Sequence, residues 1–258
     1  MGSAASALFG WRAARLASGT FLLRIEDIDI VRCRPEYTDA ILEDLRWIGI
    51  DWDHEVRAQS AHFPEYQAAL DQLAQRGLLY PCFCTRSDIA AAPHGSDDVP
   101  VYAGTCRAMG DAERADRISA GMPYSLRLDM AKACNCVPAV LSFHERDKGC
   151  VRCHPARFGD VVLARKDTPA SYHLCVTHDD ALQGVTLVTR GEDLFAATDL
   201  HVLLQHLFGW PTPDYAHHKL LTDDAGRRLA KRDQALSIRA LRAAGHNPQD
   251  VQAMATKS

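Results

Sequence analysis

Strand-like and helix-like segments alternate at both ends of this chain, and an irregular middle separates them. Near the start, the apolar stretch "FLLRI" is followed by two amphipathic segments that end at Gly49 and Gly77. Near the end, "VTLVTRG" (185–191) precedes a strongly apolar helical segment, and a further strand and helix follow. Because alternating strands and helices build parallel sheets, this pattern predicts an α/β nucleotide-binding fold that is split by an insertion.

The predicted insertion divides the chain into three parts. We expect residues 1–79 to form the first half of a Rossmann-type domain, residues 80–158 the insertion, and residues 159–258 the second half with a basic loop and a short helical tail. Residues 85–124 are dotted with glycine and proline, and we predict that they are irregular.

Composition and charge narrow the class of protein. The 258 residues include nine cysteines, and the N-terminal segment has the pattern of an amphipathic helix rather than a signal peptide. We therefore expect a cytoplasmic protein whose cysteines are thiols or metal ligands. The net charge is −4, yet the chain from Lys219 onward is basic, and a local basic patch is enough to bind phosphate.

The first group of cysteines has the pattern of a metal site. Cys82 and Cys84 form a C-x-C pair, and Tyr102 and Cys106 follow in "YAGTCR". Three thiols and a fourth donor suit tetrahedral zinc, which we expect as one structural ion. C-x-C is tighter than the usual spacing and tyrosine is an uncommon ligand, so small buried cysteines are the alternative.

A second group of cysteines also has metal-ligand spacing. Zinc binding and incidental cysteines in a variable insertion explain this group equally well. Its members are Cys134, Cys136, Cys150, Cys153, His144 and His154.

Charged residues follow two of the predicted strands. Glu26, Asp27 and Asp29 follow the first one, where a ligand of an open α/β sheet would bind, although an acidic residue can equally cap a helix. Arg190 ends the strand "VTLVTR". An arginine there can bind a carboxylate through two hydrogen bonds, and a structural ion pair with a neighbouring acid is the alternative.

A glycine-led basic loop, "GRRLAKR" (226–232), precedes the last predicted helix. Such a loop can hold phosphates, and a solvated turn is the alternative.

Together these stretches resemble the class I aminoacyl-tRNA synthetases of the glutamyl type. The similar stretches are "FLLRIEDID", "AILEDLRWIGIDWD", "YPCFCTRSDI", "YAGTCR", "DVVLARKD", "SYHLCVTHDDALQGVTLVTRGEDL" and "HHKLLTDDAGRRLAKR". They occur in the order that the family has. Within the family, the short length after Arg232 and the cysteine pattern resemble the glutamyl-queuosine tRNA(Asp) synthetases, a short paralogue group.

The resemblance implies a substrate pocket and a reaction. Glu26 would bind the ammonium group of glutamate, Tyr172 would line the pocket, and Arg190 would bind a substrate carboxylate. The reaction would be activation of glutamate with ATP and Mg²⁺, without tRNA, followed by transfer of the glutamyl group to queuosine in tRNA(Asp). We expect a monomer that does not bind membranes.

The family's KMSKS-type loop corresponds to residues 228–232, which would contact ATP. Lys231 would be the catalytic residue because it would meet the phosphates, while Ala230 replaces a serine of the family pattern. The loop members are Arg228, Leu229, Ala230, Lys231 and Arg232.

The start of the chain departs from the family. Family members open with a segment of the type RxAPSPTGxLHxG, and Gly2 and Ser3 match its last positions. We therefore expect the fold to lack its first strand and half of its ATP-phosphate contacts. A catalytically inactive paralogue that retains zinc, and that also binds RNA, is the alternative function.

Overall fold

The computed structural model describes residues 2–90, 101–221 and 237–256. Its helices are α1 (Gly2–Leu16), α2 (Pro35–Trp47), α3 (Phe63–Gln75), α4 (Arg86–Ala90), α5 (Asp111–Ser119), α6 (Met130–Asn135), α7 (Tyr172–Leu182), α8 (Thr198–Phe208), α9 (Ile238–Ala243) and α10 (Pro248–Ala255). Its strands are β1 (Arg24–Ile25), β2 (Arg57–Ala58), β3 (Leu79–Cys82), β4 (Ser125–Leu128), β5 (Ser142–Glu145), β6 (Gly149–Arg152), β7 (Val162–Ala164), β8 (Leu187–Gly191) and β9 (Asp214–His218).

The helix boundaries follow local sequence signals. Proline occupies the first turn of α2 and of α3, where its missing N–H costs nothing. Gly49 and Gly77, the predicted stops, have φ values of 81° and 67°, which glycine adopts without strain. Ser171 caps the start of helix α7, and its side chain accepts a hydrogen bond from the backbone N–H of Leu174.

A four-stranded sheet of order β6-β5-β9-β8 lies at the centre of the candidate site. Strands β8 and β9 are parallel, and so are β5 and β9, whereas β5 and β6 form an antiparallel hairpin. In the β8–β9 register Arg190 lies opposite His217. The carboxyl ends of two parallel strands therefore present an arginine and a histidine side by side.

Two smaller sheets complete the described strands. Strands β3, β4 and β7 form an antiparallel sheet, and β1 and β2 form a short parallel pair. The predicted strand near residue 21 is only Arg24–Ile25, and Glu26 follows it directly. The acidic end of this strand is thus a real feature of the fold.

The domain boundaries at 79/80 and 158/159 stay a prediction. Strand pairing crosses the second of them twice, because hairpin β5–β6 joins the sheet of β8 and β9, and β7 pairs with β4. Residues 85–124, predicted to be irregular, contain α4 and α5. Ion pairs between side chains three and four residues apart, Arg114–Asp111 at 2.7 Å and Arg117–Glu113 at 2.7 Å, support α5 on its exposed surface.

Apolar side chains pack on both sides of the four-stranded sheet. Helices α3, α7 and α8 contribute to one cluster, which includes fully buried Leu174 and Leu203. Helix α1 packs against β8, and α1, α2, α9 and α10 share a second cluster around Leu8 and Ile48. Gly10 permits the close approach of α1, since a Cβ atom there would lie 2.6 Å from Oγ1 of Thr189.

Helices long and apolar enough to cross a membrane are absent from the residues that the model describes.

Candidate active site

Four elements bring the candidate site together at the carboxyl ends of the strands. Arg190 comes from β8, His217 from β9, Glu26 follows β1, and Tyr172 is the first residue of α7. The charges of Glu26 and Arg190 both act on the Tyr172 hydroxyl, and the charge of Arg190 also acts on Glu26. The three residues that the sequence predicts for the substrate pocket therefore lie in one place.

Arg190 is a buried cation, with an exposed fraction of 7%. Its Nη2 donates to Oγ1 of Thr198 at 2.7 Å, and its Nε donates to Nε2 of His217 at 3.1 Å. Its Nη1 donates to Nδ1 of His201 at 2.9 Å. Every one of these acceptors is a neutral group when the histidines are unprotonated.

Carboxylates do not neutralise Arg190 directly. Among the described residues, no acidic side chain lies within the 4.0 Å of an ion pair with this guanidinium. The predicted alternative of a structural ion pair is therefore not what holds Arg190. A buried charge without a carboxylate in direct contact is costly, so the arrangement is suited to an anionic ligand.

Glu26 is partly accessible to solvent at the end of β1. Its side chain is 43% exposed, and Oε1 lies 3.7 Å from Nη2 of Arg24. Desolvation by the surrounding protein nonetheless raises the pKa of its carboxyl, and this effect outweighs the opposite effect of Arg24. An accessible carboxylate of this kind could accept hydrogen bonds from an amino group.

Tyr172 lies between these charges. Burial and then the negative charge of Glu26 raise the pKa of its hydroxyl to about 12, although Arg190 opposes the shift. The hydroxyl is therefore protonated at neutral pH. It is a hydrogen-bond donor and acceptor, and not a base.

A network of acids and arginines connects the elements that carry the candidate site. Asp180 accepts from Nη1 of Arg24 at 2.9 Å, and burial raises the pKa of this carboxyl. Asp179, which is fully buried, accepts from Tyr66 at 2.8 Å and lies 3.1 Å from Nε of Arg57. This network fixes β1 and β2 against α7, and thereby the position of Glu26. The sequence signal for this network was the pair of adjacent acids in an otherwise apolar part of α7. The sequence analysis did not identify it.

The first cysteine group forms a compact cluster. The Sγ atoms of Cys82, Cys84 and Cys106 lie within 4.8 Å of one another. Cys84 Sγ is 3.5 Å from Cys106 Sγ and 3.5 Å from the Tyr102 hydroxyl, which accepts from the backbone N–H of Cys106 at 2.7 Å. Sulfur ligands at about 2.3 Å from a tetrahedral zinc ion are about 3.8 Å apart, so this geometry fits the metal.

The electrostatics of the cluster also suit a cation. Burial raises the pKa of Cys106, but hydrogen bonds from Tyr102, the Phe83 backbone N–H and Cys84 lower it to about 7. Burial raises the pKa of Cys84 to about 11. One thiolate therefore forms readily near neutral pH, which favours the binding of a metal ion.

The second cysteine group does not converge. Among the described residues, its cysteines and histidines form no group of three with ligand atoms within 4.8 Å of one another. Cys150 lies opposite His144 in the β5–β6 hairpin, while His144 lies 3.5 Å from Asp214, and Cys153 is buried. Because no three of these donors converge among the described residues, the structure favours incidental cysteines.

A match to a known family decides the class of this protein. The model of the tRNA synthetases class I (E and Q), catalytic domain, matches residues 1–256. The chain belongs to this synthetase family. It is an aminoacyl-tRNA synthetase-like ligase, as the resemblance of its motifs predicts.

Comparisons with individual relatives support this family assignment. The glutamyl-Q tRNA(Asp) synthetase of Rhodobacter capsulatus is 47% identical over 264 residues, which cover 97% of this chain and 93% of that protein. The protein of the same name from Symbiobacterium thermophilum is 41% identical and is covered to 80%. The crystal structure of a glutamate tRNA ligase from Elizabethkingia meningosepticum in complex with its amino acid superposes with a TM-score of 0.73 at 27% identity.

The glutamate tRNA ligase from Elizabethkingia meningosepticum is longer than this chain. The superposition covers 90% of this chain and 49% of that one, so the chain spans about half the length of the solved structure. The fold comparison therefore supports the catalytic domain alone. It confirms the predicted class I synthetase catalytic domain with a mixed α/β fold.

The predicted ATP residues of this synthetase lie outside the described residues. They are Arg228, Leu229, Ala230, Lys231 and Arg232. Their roles stay a prediction.

Sequence reasoning missed the polar residues around Arg190. His201 is a histidine in the strongly apolar helix α8, and His217 is in β9. Glu145 is a buried carboxylate in β5. A polar residue within an apolar segment is the signal that could have identified them.

Proposed function

We propose that this protein activates glutamate with ATP and then transfers the glutamyl group to the queuosine base of tRNA(Asp). Membership in the synthetase family and the names of its close relatives support this function. So does the chemistry of the pocket, which offers a cation and a carboxylate to one amino acid.

The buried charge of Arg190, without a carboxylate in direct contact among the described residues, is the observation that carries the proposal. Three of its five N–H groups are taken by neutral acceptors, and within the described residues no carboxylate is at ion-pair distance. One N–H remains on each terminal nitrogen, next to the Tyr172 hydroxyl, which also interacts with the guanidinium. Two donors on one planar group suit a carboxylate, which accepts them in parallel.

The opposite end of the ligand would be cationic. The charge of Glu26 acts on Tyr172, as does that of Arg190. An ammonium group near Glu26 would give this carboxylate a charged partner. A pocket with both signs of charge favours a zwitterion over a simple dicarboxylate.

The first reaction step joins glutamate to ATP. An oxygen of the α-carboxylate attacks the α-phosphorus, a new O–P bond forms, and the bond to the pyrophosphate leaving group breaks. Magnesium, bound with ATP, supplies positive charge to the phosphates. We assign Lys231 to the same task by family resemblance, as a residue outside the described part. Arg190, Tyr172 and Glu26 hold the glutamate in position.

The second step transfers the glutamyl group. A hydroxyl oxygen of the queuosine ring attacks the carbonyl carbon, the bond to AMP breaks, and the hydroxyl proton passes to the phosphate of the leaving AMP. The basic chain after Lys219 is a candidate for contact with the RNA phosphates. We further propose a monomer in the cytoplasm.

We also propose one structural zinc ion on Cys82, Cys84, Cys106 and Tyr102. The three sulfur atoms and the tyrosine oxygen are already close to tetrahedral spacing. Bound zinc would join β3 to the segment around Tyr102 and so stabilise this part of the fold.

Pyrophosphate exchange tests the function. The purified protein is incubated with ATP, Mg²⁺, glutamate and labelled pyrophosphate, without tRNA, and label in ATP is measured. The proposed function predicts exchange that requires glutamate and that aspartate and glutamine do not replace, whereas the alternative of an inactive paralogue predicts none. Transfer is then measured with tRNA(Asp) that contains or lacks queuosine.

The absence of exchange would contradict the proposal. If protein that folds and contains zinc gives no glutamate-dependent exchange, a non-catalytic paralogue becomes the better description. Exchange without transfer to queuosine-containing tRNA would reject only the second step.

A further inference from the structure

A continuous series of hydrogen bonds runs through Arg190, from helix α7 at one end to strand β5 at the other. Nδ1 of His173 lies 3.1 Å from Nε2 of His201, and Nδ1 of His201 lies 2.9 Å from Nη1 of Arg190. On the other side, Nε of Arg190 lies 3.1 Å from Nε2 of His217, and Nδ1 of His217 lies 2.6 Å from Oε2 of Glu145. The members come from α7, α8, β8, β9 and β5.

The direction of every bond in this series is forced. A guanidinium donates and cannot accept, so Nδ1 of His201 and Nε2 of His217 must both be acceptors. The proton of His201 is then on Nε2 and is donated to His173. The proton of His217 is on Nδ1 and is donated to Glu145. One tautomer of each of these imidazoles satisfies the geometry.

The same geometry requires neutral histidines. A protonated His201 would present an N–H and a positive charge to the guanidinium, and a protonated His173 could not accept from His201. Burial, followed by the charge of Arg190, lowers the pKa of His173 to about 4 and that of His201 well below its ordinary value. Burial also lowers the pKa of His217, although Glu145 opposes the shift.

We propose that His201 and His217 are positioning residues for Arg190, and that His173 and Glu145 fix their tautomers. This inference rests on the proposed function, because it assigns the held arginine to the substrate carboxylate. The two imidazoles fix the plane of the guanidinium without neutralising its charge. The full charge thus stays available to a ligand, as a carboxylate partner would not allow.

Other groups lie close to these three hydrogen-bonded histidines and influence their protonation. Lys148 acts on His217, and Arg24 acts on His201. Tyr172 contacts the rings of His173 and His201, and Tyr215 stacks on His217. Apart from Glu145, the groups that act on the three imidazoles are cationic or neutral, so the surroundings as a whole oppose their protonation.

The test compares two substitutions of His201. His201→Asn retains an acceptor near the position of Nδ1 and cannot titrate, whereas His201→Leu removes the acceptor. Loss of a hydrogen bond to a buried charged group should raise the KM for glutamate about ten- to a hundredfold in His201→Leu. The kcat of pyrophosphate exchange should change much less. His201→Asn should keep the KM within about threefold, because the acceptor remains.

The matched control is His206→Asn in the same helix, since the imidazole of His206 bonds to the backbone oxygen of Val202 and not to Arg190. Its KM for glutamate and its kcat of pyrophosphate exchange should equal those of the wild type. Thermal midpoints of all variants identify a failure to fold. An unchanged KM in folded His201→Leu overturns the inference, and so does an equal KM increase in His201→Asn and His201→Leu.

A second measurement does not depend on activity. Nitrogen-15 NMR of the imidazoles in the unliganded protein reports the tautomers directly. We expect protonated Nε2 in His173 and His201, protonated Nδ1 in His217, and no protonation of His201 down to pH 5. The opposite tautomer at His201 or His217 overturns the inference. If the wild type lacks glutamate-dependent exchange, the proposed function fails, and these spectra still decide whether the imidazoles hold Arg190.

Discussion

Arg190 of β8 and His217 of β9 are direct partners in the register of two parallel strands, and their side chains are joined by a hydrogen bond of 3.1 Å. The backbone pairing therefore places the guanidinium at the edge of the sheet where ligands of α/β folds bind. Because the partner is an imidazole and not a carboxylate, the positive charge is held in position without a carboxylate in direct contact among the described residues. This relationship supports the assignment of Arg190 to a substrate carboxylate.

The first prediction concerns that assignment. Arg190→Ala should raise the apparent Kd for glutamate by about a hundredfold or more, because a buried charge that loses its partner costs about 3–5 kcal/mol. Isothermal titration calorimetry measures the affinity. Arg165→Ala is the control, since Arg165 is in a loop and pairs with exposed Asp167 at 2.9 Å. Equal affinities in wild type and Arg190→Ala would reject the assignment.

The second prediction separates the two ends of the ligand. Glu26→Gln should weaken binding of glutamate, because the ammonium group loses a charged partner, by about tenfold or more. Glutarate, which lacks the ammonium group, should bind the variant at least as well as the wild type. Glu36→Gln, at a side chain that is 63% exposed on α2, is the control. An equal loss of affinity for glutamate and for glutarate would show that Glu26 acts on the fold and not on the ammonium group.

The third prediction concerns zinc. Freshly prepared, chelator-free protein should contain about one zinc ion, and Cys106→Ser should lower this content, because a sulfur ligand is lost. Cys136→Ser is the control, since Cys136 is exposed and outside the cluster. Metal analysis by mass spectrometry provides the measurement. Wild-type protein without zinc would contradict the site, and a second equivalent would implicate the cysteines at 134–153.

The fourth prediction concerns acid stability. The pKa of His173 is lowered to about 4 in the folded protein, from an ordinary value of 6.5, so the unfolded chain binds more protons between these values. The contribution of His173 to the free energy of unfolding therefore decreases as the pH falls from 6.5 towards 4, by at most about 1.4 kcal/mol per pH unit. Burial raises the pKa values of Glu26 and Asp180, which acts in the opposite direction.

A substitution isolates the histidine. In His173→Gln the loss of unfolding free energy between pH 6.5 and pH 5 should be smaller than in the wild type, as measured by denaturant titration. The same change at exposed His206 should leave the wild-type slope intact. A slope in His173→Gln that matches the wild type would show that His173 is protonated in the folded state over this range.

Much of the fold followed from local sequence. Helices α2 and α3 end two residues before the glycines that mark them, and α8 and β8 lie where apolar and β-branched segments predict them. These elements were predictable because periodicity and end signals depend on residues within a few positions of each other. Helix α7 was not predicted, and helix α5, which buries none of its residues, was missed as well.

The sequence by itself determined the family, the order of the elements and three residues of the candidate pocket, because these depend on motifs that are continuous in the chain. Only the tertiary structure decided what surrounds Arg190. Glu145 meets His217, 72 residues away, and Arg190 meets His217, 27 residues away, through strand pairing. The tertiary structure also joined Cys84 to Cys106 while it separated the second cysteine group. Strand register and helix packing set these distances, and neither is encoded in spacing along the chain.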